Sequence, residues 1–332
     1  MDTTSAPPQD SRGTFFALTP ERVLAAVEQA GEETTGLCYA LNSLENRVYE
    51  VELEGRRRVI AKFYRPNRWG RDTILGEHRL LQALAAAEIP VAAPEPFPDA
   101  DTLHTTTDGI RFALFPRVGG RSPDDLTLEQ YEELGRMLGR IHNVLERLTD
   151  HHRPALSPET YGRQSLETIL ARTRMPDGLK NRYQETASRL VAKAEERFRG
   201  VPSQLLHADC HRGNLLYGAQ GFLFLDFDDA ATGPAVQDLW LLLPARPKDC
   251  PNELEAFARG YEIFREFPWA TLNLVEALRG LRYLRYAGWV AARWDDPSFP
   301  RAFPHWGTDN YWEAQLADLN EQLWQLEEEG AP

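Results

Sequence analysis

Apolar positions along the chain change their period near residue 120, and the change divides the sequence into two regions. Thr19 and Pro20 open a helical pattern in which Val23, Leu24 and Val27 share a face and Gly31 marks the end. The polar, Pro-containing residues 1–13 ahead of it predict a disordered tail. Asn46 to Leu53 and Arg58 to Tyr64 are β-branched and aromatic, and they flank Glu54-Gly55-Arg56-Arg57, which predicts a β-hairpin. Ile74, Leu75, His78, Leu81 and Leu84 then recur at helical spacing, predicting a helix from Arg71 to Glu88. Pro90, Pro94, Pro96 and Pro98 enforce an extended connection to two strand-like pieces, Leu103–Thr106 and Arg111–Phe115. Gly119-Gly120 closes this half.

From Thr127 onward the period is mostly helical. Tyr131–Leu148 and Leu179–Arg199 are long amphipathic candidates, and the last third reads as packed helices. One interruption stands out: residues 214–217 and 222–225 flank Gly218-Ala219-Gln220-Gly221, a second hairpin signature. Strands first and helices afterwards predict an α+β, two-lobed architecture. A small β-rich N-lobe should occupy 14–116 and a larger, mostly helical C-lobe 117–332.

Composition narrows the setting. The chain has 332 residues, 42% of them hydrophobic, enough for a substantial core. No apolar run approaches the roughly 20 residues needed to span a bilayer, and the N-terminus lacks an apolar segment of signal type. The expectation is a cytoplasmic protein with no membrane partner. Cys38, Cys210 and Cys250 are far apart and odd in number, which argues against a disulfide framework. A formal charge of −13 opposes binding to a polyanion, so no nucleic-acid partner is expected.

The chemistry concentrates in His207-Ala208-Asp209-Cys210-His211-Arg212-Gly213-Asn214, which reads as H-x-D-x-x-x-x-N, the spacing of a kinase catalytic loop. Such a loop needs a carboxylate to orient and deprotonate an acceptor hydroxyl, and an amide five residues on to hold magnesium. Asp209 and Asn214 supply both. Asp226-Phe227-Asp228 follows a buried strand pattern and takes the place of a kinase D-F-G, whose Asp is a magnesium ligand. Asp228, in the place of the D-F-G glycine, reads as a solvated or capping group, with a supporting role behind the metal ligand as the alternative. Upstream, Lys62 lies in Val59-Ile60-Ala61-Lys62-Phe63, similar to V-A-I-K, and Glu77 in the next helix is its natural partner. His207, Asp209, Cys210 and His211 offer an alternative as zinc ligands, but four donors in five residues suit a tetrahedral site poorly. Trp289, Trp294, Trp306, Tyr311 and Trp312 read as helix packing, with a frame for a cationic acceptor as the alternative.

His207 to Asn214 fits H-G/A-D-x-H-x-G-N and so resembles the aminoglycoside phosphotransferase and choline kinase superfamily. Leu138-Gly139-Arg140-Ile141-His142 resembles that superfamily's helix before the catalytic loop. Residues 41–49, 62–66, 233–240 and 293–300 further resemble the bacterial stress response kinases, Ser/Thr protein kinases on the same protein-kinase-like fold. The resemblance runs from about residue 14 to about residue 315. It implies ATP and Mg2+ as cofactors, Asp209 as proton acceptor and Asn214 with Asp226 as magnesium ligands. It places Ser43, with Asn42, in the loop over the ATP phosphates, and sets adenine against the backbone of Pro116 and Val118. That loop departs from G-x-G-x-x-G, since no glycine lies between Cys38 and Glu54. With no A-P-E after Asp226, activity is not expected to depend on a phosphosite between Asp229 and Gly233. The acceptor is expected to be a protein Ser or Thr. A small hydroxylated metabolite such as homoserine, choline or an aminoglycoside is the alternative, and a pseudokinase scaffold a third.

Overall fold

The computed structural model describes residues 11–219 and 221–328. Most of the expected tail, residues 1–10, lies outside the described residues. Residues 11–13, expected in that tail, instead begin a helix.

In chain order the elements are α1 (Ser11–Phe16), α2 (Pro20–Gln29), β1 (Thr34–Leu41), β2 (Arg47–Leu53), β3 (Arg58–Phe63), α3 (Arg71–Ala86), β4 (His104–Thr105) and β5 (Arg111–Pro116). Then follow α4 (Leu128–Leu145), α5 (Gln164–Arg172), α6 (Asp177–Phe198), β6 (Gln204–Leu206), β7 (Leu215–Gly218), β8 (Gly221–Phe224) and β9 (Ala231–Gly233). The chain ends in α7 (Val236–Trp240), α8 (Pro251–Glu262), α9 (Val275–Ala292), α10 (Ser298–Ala302) and α11 (Asp309–Glu328). These elements fall into two compact units. The first comprises the chain up to Asp125, Arg147–Arg153 and Gly213–Asp228, and the second Leu126–Glu146, Pro154–Arg212 and the chain from Asp229. The division is not the expected cut at residue 116.

The first unit is built on an antiparallel sheet in the order β1-β2-β3-β5-β4. Successive strand residues face opposite sides. In β3, Val59, Ala61 and Phe63 are fully buried in a core with Val23, Val27 and Phe112, and α2 supplies the first two. Ile60 and Lys62 therefore share the other face. Strand β1 has no counterpart in the sequence reading, and its burial explains why. Leu37, Tyr39 and Leu41 are 41–54% exposed, so no buried alternation marks this edge strand. The hairpin β7–β8 joins this unit through bridges of Val91 with Phe224 and Arg121 with Tyr217.

The second unit is helical, with one short antiparallel pair of β6 and β9. Helices α4 and α8 meet at glycines. A Cβ at Gly135 would lie 2.0 Å from the Phe257 carbonyl oxygen, and one at Gly260 1.9 Å from that of Glu132. Trp312 is fully buried and Trp306 nearly so, and both rings pack with Tyr311. That is the packing role expected of these three aromatic residues. Among the described residues no helix is long and apolar enough to cross a membrane.

Candidate active site

In the first unit, period-2 alternation aims Lys62 away from the hydrophobic core, and helical spacing on α3 brings Glu77 to meet it. Lys62 Nζ donates to Glu77 Oε1 at 2.8 Å, and lies 3.6 Å from Asp228 and 3.8 Å from Asp226. Burial by itself lowers the pKa of Lys62. The carboxylates of Asp228, Glu77 and Asp226 outweigh it and raise the pKa, keeping the ammonium charged.

Asp228 is 2% exposed, which corrects the reading of a solvated or capping group. Its carboxylate accepts from the Arg68 guanidinium and, at 3.1 Å, from Asn46 Nδ2. Arg153 donates to its backbone carbonyl. Burial pushes the Asp228 carboxyl up, but Arg68, Lys62 and Arg153 hold it well below the usual carboxylate range. Both hydrogen bonds fall on Oδ2, while Oδ1 has Lys62 Nζ at 3.6 Å as its counter-charge, and a buried carboxylate persists only with such partners.

A cavity of about 390 Å³ opens on this cluster, within the size range of small-molecule sites. Every residue lining it belongs to the first unit. Asn42, Ser43, Lys62, Glu77, Pro116, Val118, Asn214 and Asp226 all line it, so eight of the nine expected site residues share one wall system. Val48, Ile60, Leu81, Leu216 and Phe224 supply apolar surface. Asp226 sits at φ +58°, a left-handed conformation that a non-glycine residue adopts at a cost, and its side chain stays 59% exposed. The Asp226 carboxylate and the Asn214 amide oxygen are hard oxygen donors of the kind magnesium takes, and Lys62 is a fixed cation for phosphate. The donor set therefore fits a magnesium nucleotide.

The glycine-free loop between β1 and β2 is fastened from outside. Arg65 donates to the backbone carbonyls of Leu44 and Glu45 at 2.8 and 2.9 Å, and its own N–H donates to Asn46 Oδ1. Arg65 follows Lys62-Phe63-Tyr64, so the strand that carries the lysine also anchors the loop.

The ninth residue, Asp209, belongs to the second unit. Its loop hangs on Asp238, which is wholly buried and accepts three N–H groups: those of the His207 and Ala208 backbones at 2.9 and 2.7 Å, and His142 Nε2 at 3.2 Å. Burial lowers the pKa of His142 and keeps it neutral, with Tyr261 Oη 2.8 Å from its other nitrogen. Ala208 takes φ +67°. Cys210 is fully buried and its thiol pKa is raised by that burial. Among the described residues no cluster of His, Cys, Asp or Glu is arranged to hold a metal ion.

Asp209 itself receives Arg282 Nη1 on Oδ1 at 2.7 Å and has His211 Nε2 3.3 Å from Oδ2. Burial would raise its pKa, but His211 and Arg282 outweigh it and hold the carboxyl far below its ordinary value. Sequence reading missed Arg282, Asp238 as the support of the loop, and Arg65. Asp238 lies in a motif the sequence displays, but nothing local says what it holds.

Residues 40–275 match the model of the phosphotransferase enzyme family. Stress response kinase A of Escherichia coli K12 is 39% identical over 320 residues, covering 96% of this chain and 97% of that protein. Serine/threonine protein kinase RdoA of Salmonella typhimurium LT2 is 38% identical over 314 residues, covering 94% and 95%. Among solved structures, the amicoumacin kinase hAmiN in complex with AMP-PNP and Ca2+ superposes with a TM-score of 0.71 at 20% identity, over 90% of this chain and 91% of that one. A microcompartment-associated aminopropanol kinase gives 0.67 at 22% identity, over 91% and 95%. The fold is kinase-like, and the chain belongs to the phosphotransferase enzyme family, enzymes that transfer phosphate to an alcohol group.

Proposed function

We propose that this protein is a Ser/Thr protein kinase in which Asp209 receives the acceptor's proton. The observation that carries the reaction is the Lys62–Glu77 pair set beside Asp226 in the wall of one cavity. The protein acceptor is supported by near full-length identity to kinases named for stress response and for Ser/Thr specificity.

Lys62, fixed by Glu77, would hold the α/β-phosphates, and Asn214 with Asp226 would hold magnesium. Bound MgATP supplies the transferable phosphoryl group and the cation that offsets charge on the leaving diphosphate. Ser43 and Asn42 cover the phosphates from the loop that Arg65 fastens. Pro116 offers adenine only a carbonyl, since proline lacks an N–H, and Val118 lies next along the same wall. Asp209 would orient the acceptor's hydroxyl oxygen for attack. As the new O–P bond forms and the β–γ bridging bond breaks, the hydroxyl proton passes to the Asp209 carboxylate. A carboxyl of such low pKa is ionised throughout the neutral range and is a weak base, so its main work is orientation.

The test is incubation with magnesium and γ-labelled ATP beside the Asp209→Asn variant. We expect label on Ser or Thr of protein, a fall of about a hundredfold or more in the variant, and retained nucleotide affinity. Full activity in the variant refutes the role of Asp209. Label reaching only small hydroxylated metabolites replaces the protein acceptor.

A further inference from the structure

The structure assigns Arg282, with Arg285 one turn along α9, as the receiver of an anionic group on the acceptor: we infer that the favoured substrate hydroxyl is a Ser or Thr flanked within a residue or two by a carboxylate. This rests on Asp209 as the group that meets the hydroxyl.

The argument begins with what surrounds that carboxylate inside the second unit. Arg282 commits one N–H to Asp209 Oδ1, at 2.7 Å, while its side chain remains 38% exposed. A guanidinium carries five N–H donors in a planar fork, so one bond leaves most of the fork for another anion. Arg285 lies on the same helical face. Its guanidinium stacks over Tyr161 at 5.1 Å from the ring centre and stands 3.9 Å from Asp229, outside hydrogen-bond reach. The stacking fixes the cation without using its donors. Tyr286, 46% exposed, and Trp289 continue this face at the spacing i+4 and i+7 from Arg282. In a chain of formal charge −13, Arg282 stands on the candidate base and Arg285 one turn along the same helix, near Asp229.

An ammonium-bearing acceptor offers nothing to accept these N–H groups. A carboxylate-bearing one gains a charge-assisted fork. The same contact explains how the base becomes available. In the described state Arg282 occupies Oδ1 of Asp209, and His211 stands 3.3 Å from Oδ2. Drawn toward the acceptor's carboxylate, Arg282 gives up Oδ1 and leaves it to the hydroxyl. The acceptor thus uncovers its own base, and Arg282 acts as a specificity-determining residue.

The experiment compares Ser peptides that differ only in Asp, Ala or Lys flanking the Ser, in wild type, Arg282→Gln and Arg282→Lys. Wild type should favour the Asp peptide over the Ala peptide roughly tenfold or more in kcat/KM. Arg282→Gln should bring that ratio close to one, and Arg282→Lys should retain part of it. Calorimetry with the same peptides carrying Ala in place of Ser reads the preference without turnover, and should show the same ordering. If no peptide is phosphorylated but glycerate is preferred to ethanolamine in an Arg282-dependent way, the protein-kinase reading falls and the anion site stands. An unchanged ratio in Arg282→Gln, or a preference for the Lys peptide, overturns the inference while leaving phosphoryl transfer intact.

Discussion

Asp228 has left water almost completely, and desolvating a carboxylate costs several kcal/mol unless its partners restore the loss. Arg68, Asn46 and Lys62 do so, and the same carboxylate shares Lys62 with Glu77. The residue that stands where protein kinases have glycine is therefore part of what positions the lysine. Asp228→Ala leaves buried cations under-compensated and should cost about 3–5 kcal/mol of stability, read by urea denaturation. Asp228→Gly restores the usual D-F-G and should fare no better. A loss below about 1 kcal/mol in either variant would mean the cluster is dispensable.

At the scale of elements, α3 does two jobs with adjacent residues. Glu77 reaches Lys62, and Gly76 lets the helix approach the segment at His151, where a Cβ would lie 1.8 Å from a backbone carbonyl oxygen. Alanine is the better helix former by about 1 kcal/mol, yet here it must move backbone. Gly76→Ala should therefore lose about 1–3 kcal/mol net through overpacking, and should weaken nucleotide binding as Glu77 is displaced. Thermal melts and nucleotide titration check both parts. A variant more stable than wild type would show that the helix approach is not limiting. The same geometry at Gly135 and Gly260 brings α4 and α8 together, and α4 carries His142 toward Asp238 and hence supports the loop of Asp209.

Across the whole molecule, stability should depend on pH through buried imidazoles. His78 is 1% exposed between Tyr64 and Thr102, and burial with the nearby charges of Lys62 and Arg79 lowers its pKa to about 3. His142 is shifted the same way by burial. Folded His78 stays neutral down toward a pH of about 3 and folded His142 takes up its proton at lower pH than when unfolded, whereas an unfolded chain protonates both below about pH 6.5. The unfolded state then binds more protons, so stability falls as pH drops from that value toward the folded pKa. The His78 contribution reaches at most about 1.4 kcal/mol per pH unit. Between pH 6.5 and 4, His78→Gln should show a shallower fall than wild type in chemical denaturation. Parallel profiles would refute the assignment of a buried neutral imidazole.

The amino-acid pattern by itself determined the elements whose side chains report a local environment: the hairpin β2–β3, helix α3 and the hairpin β7–β8. Order and spacing along the chain also singled out Lys62, Glu77, Asp209, Asn214 and Asp226 as candidates, because phosphoryl transfer calls for those groups on those elements. Strand β1 was illegible because an edge strand with exposed Leu37, Tyr39 and Leu41 carries no alternation. The three-residue strands β6 and β9 were too short to show a period. Tertiary structure alone decided which charges are buried and which pairs form. Asp228 looked like its neighbour Asp229 until Arg68 and Asn46, about 160 and 182 residues earlier, closed over it. Arg282 met Asp209 from 73 residues away, and Asp238 met the loop of Asp209 from about 30. Periodicity records what a residue's own element exposes or hides, whereas an ion pair depends on the route of the chain between its partners.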